Sequence, residues 1–131
     1  MFATDLEPHS LAALSEMLSI ALRFKSRVLV VRVVDSRVKS RIEREKISSA
    51  MRLKLQASAS PKLLKHVDEV HVTFAPPLKG IIAYSSRRKA SAIVVGIRSG
   101  GELTRAATHI PWTFVHRLIA EATCPVIAIR G

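Results

Sequence analysis

A chain of 131 residues, 48% apolar and 5% aromatic, has the length and the apolar content of one compact domain, so a single domain over residues 1–131 is expected. Its longest apolar runs, such as Val28–Val31 and Pro125–Ile129, fall far short of the roughly 20 residues of a membrane span. The balance of 21 Lys and Arg against 10 Asp and Glu gives a net charge of +11, which makes nucleic acid, an anionic membrane surface or phosphate ligands worth testing.

Phe2 to Thr4 reads as a short strand, followed by a helix that Ser10 opens and that carries Leu11, Leu14, Leu18 and Ala21/Leu22 on one face. The run RVLVVRVV, Arg27 to Val34, is β-branched and apolar enough for a strand buried on both faces. Val38, Ile42, Ile47, Met51 and Leu55 then lie along a long basic helix that ends in the Ser-Ala-Ser turn before Pro61. VHVTF, Val70 to Phe74, is a third strand. Ala75-Pro76-Pro77 ends it and places a proline at the start of a helix running from Leu78 to Lys89. AIVVG, Ala92 to Gly96, is the fourth strand. A Gly-rich basic loop and a helix follow, and PVIAI, Pro125 to Ile129, is the fifth strand.

Strands that alternate with helices imply an α/β fold, a doubly wound parallel sheet with right-handed crossovers and helices on both faces. The first strand starts almost at Met1, which is short for the centre of such a sheet. Either it is clipped, or the chain belongs to something longer. The N-terminus MFATDLEPHS has no basic flank before an apolar block, so no secretory signal is read and a cytoplasmic location is expected.

Positive charge concentrates between Arg37 and Lys65, where nine basic residues (Arg37, Lys39, Arg41, Arg44, Lys46, Arg52, Lys54, Lys62, Lys65) face two acidic ones (Glu43, Glu45). That stretch could bind nucleic acid or another polyanion, although it lacks interleaved aromatics and no recognised DNA- or RNA-binding signature is present. The five histidines show no metal-ligand spacing and Cys124 is the only cysteine, so no protein-only metal site and no disulfide are expected. Neither a G-x-S-x-G elbow nor a clustered nucleophile and base points to an enzyme.

FATDLEPHSLAALSEMLSIA resembles the opening strand, Asp-containing turn and first helix of the universal stress protein family. RVLVVRVVD resembles its second strand, and AIVVGIRSGG and ATCPVIAIR its fourth and fifth strands. The resemblance implies a five-stranded sheet of order 3-2-1-4-5, Rossmann-like and of the adenine nucleotide alpha hydrolase-like type, with a nucleotide cleft at the C-terminal ends of the strands. It further implies a regulatory, stress-response module that works through dimerisation or partner binding, with ATP or AMP as ligand.

In the ATP-binding branch an acid after the first strand and backbone on the second hold the nucleoside, positions that Asp5 and Val33 match. The phosphates of that branch sit on two glycines separated by two residues, then, after nine more, on a glycine with a hydroxyl residue at the start of the last helix. Here Gly96 supplies the first glycine, Ser99 stands at the second, Gly100 and Gly101 come later, and Trp112-Thr113 occupy the place of the last pair. Arg98 and Arg105 offer charge-assisted donors. The phosphate loop thus departs from the ATP pattern, and Trp112 either blocks the pocket or lines it. Asp5 fits a backbone turn as well as a ligand contact. The resemblance also implies a homodimer through strand 125–129, whose Val126–Ile129 are all apolar.

Overall fold

The computed structural model describes residues 1–5, 8–34, 40–97 and 112–130. In chain order the elements are β1 (Phe2–Ala3), α1 (Pro8–Arg23), β2 (Val28–Val34), α2 (Arg41–Ser58), α3 (Pro61–Leu64), β3 (Val67–Phe74), α4 (Pro77–Arg87), β4 (Ile93–Ile97), α5 (Trp112–Glu121) and β5 (Val126–Arg130). The strands form one sheet of order β3-β2-β1-β4-β5, and every pairing is parallel. This is the expected doubly wound order, with its reversal between β1 and β4.

Alternation along the strands builds two apolar layers. Phe2, Val28, Val30 and Val94 face α1 and α2, where Leu14, Leu18, Met51 and Leu55 are buried. Ala3, Val31, Ile93 and Val95 face the opposite way, onto Leu78, Ile81 and Tyr84 of α4 and Val115 and Leu118 of α5. The central strands are buried on both faces, as their unbroken apolar runs require. Each fully buried large side chain contributes about 1.5–3 kcal/mol.

Two boundaries differ from the sequence pattern. A short helix, α3, follows Ser60, whose hydroxyl accepts from the Leu63 amide. β3 opens at Val67 rather than Val70, because Asp68 bulges out of the ladder where the register shifts between Val28/Val67 and Leu29/Glu69. The charges that disguise this strand are paired: Asp68 with Arg27, and Glu69 with Arg88 at 2.6 Å.

α1 and α4 end alike. Lys25 and Lys89 adopt left-handed conformations with φ of 53° and 51°. The Ser26 amide donates to the Ala21 carbonyl and the Ala90 amide to the Ser85 carbonyl, both at 2.9 Å, the closing bond of a Schellman motif. Among the described residues no helix is long and apolar enough to cross a membrane.

Candidate functional site

The C-terminal edge of the sheet at β1 and β4 is where strand order reverses, the place at which open α/β sheets take their ligands. Register brings the predicted residues to that edge. Ala3 stands level with Val31 of β2 and Val95 of β4. The Thr4 amide extends the ladder by donating to the Val31 carbonyl at 3.0 Å. Continuing the same register puts Asp5 level with Val33 and within a residue of Gly96, on strands about 5 Å apart. Asp5 and Val33 are half-buried and Gly96 is buried.

Behind Asp5, the Thr4 and Ser10 hydroxyls lie 2.7 Å apart and are buried. This bond ties the end of β1 to the first turn of α1 and so fixes the path of the turn that carries Asp5. Sequence spacing gives no sign of it, since the two hydroxyls belong to different elements.

Val33 is set by packing. Its side chain faces α4 at Gly80, where an added Cβ would lie 2.7 Å from Val33 Cγ1 and 3.3 Å from Ala75 Cβ. Gly80 therefore lets α4 approach the C-terminal end of β2 closely. An isolated glycine inside the apolar pattern LKGIIAY is the sequence signal for such an approach.

Trp112 is the first residue of α5 and Thr113, exposed, the second, so the hydroxyl does stand at a helix start. Arg98, Ser99, Gly100, Gly101 and Arg105 lie outside the described residues. The structure thus brings together Asp5, Val33 and Gly96 and places the backbone of Trp112-Thr113 at the start of α5.

A second polar cluster, not anticipated from sequence, joins β3 to α4. His71 stacks on Tyr84 with ring centroids 4.5 Å apart and planes 4° from parallel, and the Arg87 guanidinium lies 5.3 Å from the Tyr84 ring centre. The Tyr84 hydroxyl is buried, faces the Glu69 carboxylate and makes no hydrogen bond of ordinary geometry among the described residues. Burial, then the neighbouring carboxylate, push its pKa up to about 12. Burial, reinforced by Arg87 and Arg88 against the opposing pull of Glu69, holds His71 below the usual histidine range. Among the described residues, no group of three His, Cys, Asp or Glu could hold a metal ion.

The model of the universal stress protein family matches residues 1–130. No curated protein matches the chain in sequence. Solved structures share the fold over almost its whole length. The universal stress protein UspA from Lactobacillus plantarum is 17% identical with a TM-score of 0.67, covering 98% of this chain and 96% of that one. A universal stress protein from Archaeoglobus fulgidus in complex with dAMP is 21% identical (TM-score 0.62; 98% and 94% covered). A universal stress protein in complex with cAMP is 15% identical (TM-score 0.62; 98% and 93% covered).

Proposed function

The chain belongs to the universal stress protein family, and on that premise we propose that it is a cytoplasmic regulatory module that responds to adenosine monophosphate rather than to ATP. It acts by occupancy, without turnover. The observation that carries this reading is the meeting of Asp5, Val33 and Gly96 at the reversal point of the sheet. Asp5 accepts from the ribose hydroxyls and the Val33 backbone meets the adenine edge. Gly96, without a side chain, lets the β4 backbone approach the first phosphate.

Beyond that first phosphate the site changes character. Ser99 and Trp112 stand where the triphosphate pattern has glycines, so a hydroxymethyl and an indole replace the hydrogens that leave room for the outer phosphates. Thr113 keeps a hydroxyl at the start of α5, enough for one phosphate at a helix start. Two neighbours of the same fold were solved with cAMP and dAMP, ligands that carry a single phosphate.

The module works as a homodimer through β5. The sheet order makes β5 an edge, and Ile127 on it is 48% exposed. An apolar edge leaves backbone donors and acceptors that a second copy can satisfy.

Trp112 is the only tryptophan, so its emission reports the crevice without interference. Saturable change on adding AMP is expected. In Trp112→Gly, calorimetry should show ATP affinity rising at least tenfold, on the order of 1.4 kcal/mol, with AMP affinity little changed. If ATP affinity stays where it was, the indole is not what excludes the outer phosphates.

A further inference from the structure

The basic charge of α2 is not spread evenly round the helix. Arg41, Arg44, Ser48 and Arg52 recur at steps of three and four residues, so they fall on one face. With Glu45 and Ser49 they line an open depression of about 540 Å³ along the helix, and among the described residues no apolar side chain lines it. The Arg44 guanidinium is held 4.4 Å over the ring of Phe74, the last residue of β3. Arg41 donates to Glu45 at 3.1 Å, an exposed pair that holds little energy and gives way readily to a stronger anion.

Arg52 belongs to two depressions. On its other side opens a slot of about 310 Å³ lined by Leu55, Leu64, Val67 and Val70, with Gln56 at its polar end. A row of arginine forks about 16 Å long, continuous with an apolar slot, matches a chain of phosphates that carries flat, partly apolar groups. Arginine suits phosphate because its planar fork donates two parallel hydrogen bonds.

We propose that this face of α2 binds the backbone of single-stranded nucleic acid, with phosphates along Arg41, Arg44 and Arg52 and a base in the slot beside Arg52. A lipid surface fits less well. The exposed apolar residues of α2, Ile42 and Leu53, each lie one residue past an arginine, about 100° round the axis from the groove. Among the described residues no aromatic ring lines either depression, so binding rests on charge and has little sequence preference.

The test uses the full chain and a fluorescein-labelled oligothymidylate, which carries no adenine for the nucleotide crevice, followed by anisotropy across a salt series. Three neutralised phosphates on a single strand predict a slope of log K against log salt of about −2. Arg41→Gln and Arg52→Gln should each reduce that slope by about 0.7 and weaken binding about five-fold near 0.1 M salt. Glu45→Gln removes the acid from the groove and should tighten binding, whereas Glu43→Gln, a control off the stripe, should leave it nearly unchanged. Gln56→Glu puts a negative charge at the slot and should weaken it.

Equal losses from Lys46→Gln and Lys54→Gln, which lie off the groove, would overturn the proposal in favour of diffuse charge. Absence of binding at low salt would overturn it too. So would preference for phosphatidylserine vesicles that is lost in Ile42→Ser.

Discussion

Replacing Gly80 by alanine sets two effects of known size against each other. In a helix interior, alanine gains about 1 kcal/mol over glycine. The new methyl, however, would stand 2.7 Å and 3.2 Å from the two Val33 Cγ atoms and 3.3 Å from Ala75 Cβ. Val33 is β-branched and stiff about χ1, and Ala75 Cβ moves only with its backbone, so neither neighbour can swing aside cheaply. Overpacking of this kind costs about 1–3 kcal/mol.

The clash wins, because the closest contact is below any distance that real side chains tolerate. A net loss of about 1 kcal/mol is expected, which for a domain of this size lowers the thermal midpoint by roughly 4 °C. Calorimetric melting of Gly80→Ala, Val33→Ala and the double variant provides the assay. In the double variant the added methyl occupies space vacated by the valine, so the two losses should fall short of additive by about 1–2 kcal/mol. A midpoint that rises in Gly80→Ala, or losses that simply add, would refute the close approach of α4 to β2.

Three further outcomes are expected. Tyr84 is the only tyrosine, so tyrosinate absorbance reports it alone: in the folded protein it should titrate near pH 12. Since the folded value lies above the ordinary one of 10.0, the associated stability is full below about pH 10 and is lost as pH rises towards 12. A native titration near 10 would remove the burial argument. Lys25→Gly and Lys89→Gly, at left-handed helix ends, should each stabilise by about 0.5–1 kcal/mol in urea unfolding; a loss at either position would show that the lysine earns its strained conformation through contacts. The Ile93 amide donates to the Pro125 carbonyl and Ile93 pairs with Val126, a parallel register that turns the Ile127 amide toward β4 and the Ala128 amide outward. Ala128→Pro therefore deletes an outward donor of β5, and the proposed homodimer should give way to folded monomer in sedimentation, whereas a dimeric variant would move the interface elsewhere.

Legibility in sequence followed the physics of each feature. Val28–Val34 and Ile93–Ile97 are strands buried on both faces, so their apolar runs announced them; alternation with helices implied a parallel sheet, and the family resemblance its order. The start of β3 was hidden because Asp68 and Glu69 read as loop residues. Only their partners Arg27 and Arg88, distant in sequence, make a charged strand end tolerable.

That Asp5, Val33 and Gly96 come together at one edge was legible because each lies at the end of an apolar run that reads as a strand, and a parallel sheet sets such ends side by side; whether they form a binding site is the proposal. The supports of that edge were not legible. The Thr4–Ser10 bond and the Val33–Gly80 contact join different elements, and no spacing in the chain encodes them. The arginine stripe was visible as charge between Arg37 and Lys65, whereas the stacking of Arg44 on Phe74 and the apolar slot beside Arg52 emerged only when α2 was laid against β3.

The central claim is that one phosphate is held at the crevice and three are not, and isothermal calorimetry of AMP and ATP against the same protein tests it most directly. The account predicts saturable AMP binding, ATP weaker by at least tenfold, and loss of AMP affinity by at least tenfold in Asp5→Ala, each step on the order of 1.4 kcal/mol. ATP binding tighter than AMP, or AMP heat that is absent or indifferent to Asp5→Ala, would contradict it.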